Sequence, residues 1–107
     1  MKTVIFDLDG TLADIGHRMP LVAGKRKHWN EFFLRCVDDQ PIEPVIEMCN
    51  LLYRTGYRIR ILSGRSAIVH TQTVEWLRQQ GALSHAHDAS PPTGSRIERD
   101  LVGCAAC

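Results

Sequence analysis

The chain has no long apolar run, no excess of charge of either sign and few cysteines, and each absence removes a class of protein. No stretch approaches the roughly 20 apolar residues of a membrane-spanning helix. Met1-Lys2-Thr3-Val4 passes directly into a strand-like run without a signal-peptide pattern, so a cytoplasmic protein is expected. Thirteen basic residues stand against twelve acidic ones, a formal charge of +1. The molecule as a whole therefore offers no field for nucleic acid or a membrane surface, and any such attraction must come from a local cluster. The four cysteines, Cys36, Cys49, Cys104 and Cys107, lack the density and spacing of a secreted disulfide framework, and Cys36 and Cys49 read as small buried residues. No glycine-rich loop ends in Gly-Lys-Ser/Thr, which argues against ATP-dependent phosphorylation.

What is present is an ordinary soluble composition, 44% hydrophobic and 23% charged in 107 residues, enough for one small domain. The apolar run at 3–8 reads as a strand buried on both faces, and Asp7-Leu8-Asp9-Gly10-Thr11 lies where that strand ends. Mixed pattern with Gly16, Pro20 and Gly24 follows, then a short helix over 28–37. Together they form an insertion at about 14–40. Pro41-Ile42-Glu43-Pro44 opens a second helix, with Val45, Ile46, Cys49, Leu52 and Tyr53 at helical spacing and Gly56 as its stop. A second strand is expected at 57–62 and a third helix from an N-cap at Ser66 to Gln80, closed by Gly81. Strand, helix, strand in this order implies a right-handed parallel crossover and hence an α/β, Rossmann-like sheet with flanking helices. Arg58 and Arg60 alternate with Ile59 and Ile61, which leaves one face of the second strand poorly covered. Beyond Leu83 the texture is that of turns, so 84–107 is expected to be an irregular tail with at most a helical turn or two over 96–102.

Two carboxylates at the carboxyl end of a parallel strand face the crevice where open α/β sheets bind ligands. There Asp7 can attack phosphorus and carry the phosphoryl group, while Asp9 protonates the leaving oxygen and then deprotonates water. Gly10 permits a sharp turn that brings backbone N–H groups toward phosphate oxygens, and the Thr11 hydroxyl adds a donor. Mg²⁺ would neutralise those oxygens and align the attack. The second strand ends in Ser63-Gly64-Arg65, which offers a hydroxyl, a backbone N–H and a planar fork of donors for the same phosphate or a neighbouring one.

The motif Phe6-Asp7-Leu8-Asp9-Gly10-Thr11, followed by Gly56-Tyr57-Arg58-Ile59 and Ser63-Gly64-Arg65, resembles the haloacid dehalogenase superfamily of Mg²⁺-dependent phosphatases. Leu12-Ala13-Asp14, His17-Arg18, Trp29, Phe32, Phe33, Cys36-Val37-Asp38-Asp39 and Pro41-Ile42-Glu43-Pro44 look like the phosphatase domain of phage-type polynucleotide kinases, which remove 3′-phosphates from nucleic-acid ends. The resemblance covers roughly residues 1–83. It implies Asp7 as nucleophile, Asp9 as acid/base and Ser63 as phosphate ligand, with the Asp7 carboxylate and the Asp9 backbone carbonyl on the metal. The family's later lysine and acidic pair have no counterpart: the last lysine is Lys27, and beyond Arg65 the aspartates are the isolated Asp88 and Asp100. The chain is therefore expected to be truncated or frame-shifted relative to its relatives. A non-catalytic protein and a small-molecule phosphatase stand as the alternatives to an enzyme acting on nucleic-acid ends.

Other clusters have plainer readings. Asp38-Asp39 is read as a solvated loop before a proline. His17-Arg18 and Lys25-Arg26-Lys27-His28 are either a basic rim for a phosphate backbone or exposed charged loops. Trp29, Phe32 and Phe33, at helical spacing, are assigned to the core rather than to base stacking. Cys104 and Cys107 with His85 and His87 have no fold around them that would hold zinc.

Overall fold

The computed structural model describes residues 2–83 and 101–103. Strand β1, Thr3–Asp7, pairs in parallel with β4, Arg58–Ser63, and β4 pairs in parallel with β5, Leu101–Gly103, in the order β1-β4-β5. The third strand replaces the helical turn expected there. Three residues are too short to show a period, and their partner Ile61-Leu62-Ser63 lies some 40 residues upstream. The rest of the zinc-site and tail readings fall outside the described residues.

Between β1 and β4 the chain first makes the insertion. Short strands β2, Ala13–Asp14, and β3, Gln40–Pro41, pair antiparallel and close its mouth. Inside it lie a 3₁₀ turn at Gly16–Arg18, helix α1 at Pro20–Ala23, helix α2 at Trp29–Leu34 and a second 3₁₀ turn at Arg35–Asp38. Helix α3, Glu43–Arg54, carries Pro44 in its first turn and is followed by Gly56 at φ +100°, a backbone state that favours glycine. Ser66 caps a 3₁₀ turn at Ala67–Val69 through its side-chain oxygen, and helix α4, His70–Gln79, starts after that turn.

Helices α3 and α4 share one core with one face of the sheet. Ile46 and Cys49 from α3 and Val74, Trp76 and Leu77 from α4 pack with Phe6, Leu8, Ile59 and Ile61. Cys36 and Cys49 are fully buried, as expected. Strand alternation turns Ile5 and Leu62 to the other face, where they are 66% and 46% exposed beside exposed Arg58, so the uncovered face read from the Arg58/Arg60 alternation is present. No helix among the described residues is long and apolar enough to cross a membrane.

Candidate active site

Parallel pairing of Asp7 with Leu62 brings the ends of β1 and β4 side by side, and the two motifs meet there. The chain leaves β1 through Gly10, whose φ of +82° suits glycine. Its N–H donates to the Ala13 carbonyl at 2.8 Å, while the N–H groups of Leu12 and Ala13 both bond the Leu8 carbonyl at 2.9 Å. This turn corrects one expectation. The N–H of Gly10, and that of Thr11 donating to Leu8 at 3.3 Å, are engaged inside the loop and shape it rather than reaching outward to a phosphate.

Three carboxylates stand around the strand ends in different states. Asp7 is exposed and forms no ion pair among the described residues; its Oδ1 accepts the Leu8 N–H at 2.9 Å. Asp9 is partly buried, and its Oδ1 accepts from Arg18 Nη2 at 3.1 Å and from Arg65 Nε and Nη2 at 3.0 and 2.8 Å. Asp39 is buried and takes Arg18 on both oxygens, Nε to Oδ1 and Nη2 to Oδ2, each at 2.9 Å. Its Oδ2 also accepts Arg65 Nη2 at 2.9 Å, and His17 Nε2 lies 2.6 Å from Oδ1. The Trp76 indole N–H donates to the Asp39 backbone carbonyl at 2.9 Å, so α4 holds the same residue by its main chain.

Burying this much charge requires that each group find a partner, and no buried side-chain nitrogen or oxygen among the described residues lacks one. Burial by itself would lower the Arg18 pKa. The hydrogen bond and charge of Asp39, then the charge of Asp9, more than offset it and hold the guanidinium above its ordinary value. Burial pushes the nearby Cys36 thiol upward, against the opposing pull of Arg65 and Arg18.

Three residues stand differently here from what the sequence suggests. Asp39 was read as part of a solvated loop and is instead the buried hub of the site, because the insertion leaves and re-enters at the same strand end and thereby presses Asp39 against Arg18. Arg65, expected to hold phosphate, has Asp9 and Asp39 within 3.0 Å and donates Nη1 to the Thr73 hydroxyl at 3.1 Å. Two carboxylates engage its fork. Arg18, read as a rim or loop charge, is fully buried. Its signal in the sequence was its opposite charge to Asp39 across the two ends of one insertion.

Ser63 is buried, and its hydroxyl oxygen accepts the Arg65 N–H at 3.2 Å. With Arg65, His70, Thr73 and Leu101 it lines a cavity of about 90 Å³ between β4, β5 and the start of α4. Alternation puts Ser63 on the face of Ile61 and Asp7 on the face of Leu62, one register step apart. They flank the strand ends from opposite faces. Gly64 follows Ser63, and nothing crowds the place a side chain would take there.

The aromatic residues divide. Phe32 is buried under Arg18, whose Cζ lies 4.4 Å from the ring centroid, whereas Trp29 is 51% exposed and so does not belong to the core as expected.

Comparison with known proteins agrees with this architecture. A chain in the structure described as "Structure of Pnkp1/Rnl/Hen1 complex" superposes with a TM-score of 0.60 at 23% identity, over 92% of this chain and 32% of that one. The likeness is one of fold, and this chain spans about a third of that chain's length. No curated protein sequence matches. The family described as polynucleotide kinase PNKP phosphatase domain matches residues 1–100, beyond the limit near Leu83 expected from the motifs. With nearly its whole length matched, the chain belongs to the PNKP phosphatase-domain family of haloacid dehalogenase-type phosphatases.

Proposed function

We propose that this chain hydrolyses phosphate monoesters through Asp7 and Asp9, and that its substrates are 3′-phosphorylated nucleic-acid ends. The observation that carries the reading is the contrast between an exposed Asp7 without an ion pair among the described residues and an Asp9 clamped by two guanidinium groups at the ends of parallel strands. A nucleophile must reach phosphorus, and an acid/base must be held still. Asp7 attacks phosphorus, and the P–O bond to the substrate alcohol breaks as Asp9 protonates the departing oxygen. A water that gives its proton to Asp9 then attacks the aspartyl phosphate, releasing inorganic phosphate and restoring the Asp7 carboxylate. The described arginine contacts to Asp9 all fall on Oδ1, which leaves Oδ2 as the oxygen suited to carry the proton.

The residues present fit a lightly held magnesium ion. Asp7 offers a carboxylate and Asp9 a backbone carbonyl, while the Asp9 carboxylate is engaged by arginine. Among the described residues no group of three metal-ligating side chains occurs. Two protein oxygens suit Mg²⁺, which keeps several waters and takes others of its ligands from substrate phosphate. When bound, such an ion neutralises phosphoryl oxygens. In this reading residues 1–83 form the phosphatase core with its insertion at about 14–40, and Leu101–Gly103 adds a strand to it.

One observation favours a second reading, a non-catalytic phosphate binder: the sequence has no lysine after Lys27 and no two adjacent acidic residues after Arg65. The test is Mg²⁺-dependent phosphate release from a chromogenic ester and from a 3′-phosphorylated oligonucleotide, comparing the chain with Asp7→Asn. Release from both that falls to background in Asp7→Asn supports the enzyme. Release from the ester alone supports a small-molecule phosphatase, and equal background rates support the binder.

A further inference from the structure

The aromatic cluster of the insertion is closed on one side only. Trp29 stacks on Phe33, with centroids 6.0 Å apart and planes 26° from parallel, and meets Phe32 edge-on at 5.7 Å. Phe32 and Phe33 meet at 5.4 Å. The indole is therefore fixed from behind by two rings while half of its surface faces water. A core aromatic would be covered, since its apolar area is the main reason to place it inside.

What adjoins the exposed indole has a definite chemistry. Lys25, Arg26, Lys27 and His28 immediately precede it and are all exposed, and Lys27 Nζ donates to the Val22 carbonyl at 2.6 Å, which ties the run to α1. In a molecule of formal charge +1 this is a local concentration of positive charge. A rigid aromatic surface beside cationic side chains is the combination that holds single-stranded nucleic acid, with base stacking on the ring and phosphates on the charges.

The cluster is also joined to the reaction centre by a single side chain. Arg18 lies over Phe32 at 4.4 Å, donates Nη1 to the Phe32 carbonyl at 3.2 Å and reaches Asp9 Oδ1 with Nη2 at 3.1 Å. One guanidinium thus spans from the aromatic rings to the Asp9 carboxylate.

We propose that Trp29 is a base-stacking ledge which, with Lys25 and Arg26, holds the unpaired bases nearest the phosphorylated end of a single-stranded oligonucleotide. The identity of that end rests on the phosphatase reading of Asp7; the ledge itself does not. Because every base has a π face, the ledge is tolerant of sequence but requires bases.

The test uses the full chain carrying Asp7→Asn, so that bound strands are not turned over, and a 3′-phosphorylated oligothymidylate. Its counterpart has abasic sites at the positions next to the phosphate. Binding is followed at low salt by the anisotropy of a dye on the 5′ end of each strand, which reads variants without Trp29 as well; in chains that keep Trp29 the tryptophan emission is recorded alongside, with Trp76, buried and bonded to Asp39, as a steady background. The strand with bases should bind roughly 5- to 100-fold more tightly than the abasic strand and quench the emission. Adding Trp29→Leu should remove that preference, and Trp29→Phe should restore part of it. Circular dichroism checks that both variants fold. Equal affinity for the two strands, a preference that survives Trp29→Leu, or no binding at low salt overturns the ledge. Base-dependent, Trp29-dependent binding, together with no Mg²⁺-dependent phosphate release from the same strand by the chain that keeps Asp7, upholds the ledge and defeats the phosphatase reading. Phosphate release with a base preference indifferent to Trp29 does the reverse.

Discussion

Beneath the sheet, Leu8, Ile59, Ile61 and Leu77 are withdrawn from water by apolar contact, whereas at the carboxyl edge Arg18, Asp39 and Arg65 are withdrawn almost as completely while carrying charge. The first region gains from every methylene it hides and is indifferent to direction. The second gains little net stability, because desolvation of buried ions offsets most of their attraction, but it fixes geometry from three separate points of the chain. Burial alone therefore does not distinguish structure from function here; the chemistry of what is buried does.

That contrast can be broken at Asp39 first. Asp39→Asn leaves two buried guanidinium groups with one formal carboxylate, and a loss of about 3–5 kcal/mol is expected, seen as a lowered midpoint in urea. The loss should persist in 1 M salt, since buried pairs are screened little; Arg35→Ala, which removes the exposed pair with Glu31, should change stability by less than about 0.5 kcal/mol.

The apolar region has its own charge limit. Burial raises the Cys49 thiol from 9.0 to about 12. The unfolded chain ionises first, so this contribution to stability is complete below pH 9 and is lost as pH rises from 9 toward 12, by up to about 4 kcal/mol. Melting temperatures measured from pH 8 to 11 should fall steeply, and Cys49→Ala should flatten that fall. Leu77→Ala should cost about 3 kcal/mol at neutral pH, with phosphate release per folded molecule little changed. The smallest effect is expected at Asp7. Asp7→Asn, at an exposed position, should leave stability in urea within about 0.5 kcal/mol of the parent while abolishing turnover.

The sequence was most legible where neighbours in the chain are neighbours in space. Strand β1 with its Asp-x-Asp ending, helix α3 with Pro44 and Gly56, and strand β4 all follow from local pattern. Asp39 was missed because its partners lie 21 and 26 residues away, and a carboxylate before a proline looks solvated until the insertion's two ends are joined. Trp29 was missed for the opposite reason: its spacing matches a core face, yet α2 spans six residues, and the ring contacts of Trp29 among the described residues are with Phe32 and Phe33. Leu101–Gly103 has no pattern of its own, because pairing with β4 supplies its conformation.

Asn50 shows where such non-local information is kept. Its Nδ2 donates to the Gly81 carbonyl at 2.9 Å and its Oδ1 accepts the Leu83 N–H at 2.6 Å, while Leu83 sits at φ 61°, a state a branched side chain avoids unless held. One amide on α3 thus steers the polypeptide as it departs from α4. The turn at 81–83 is therefore held from thirty residues upstream, and a change at position 50 would release it.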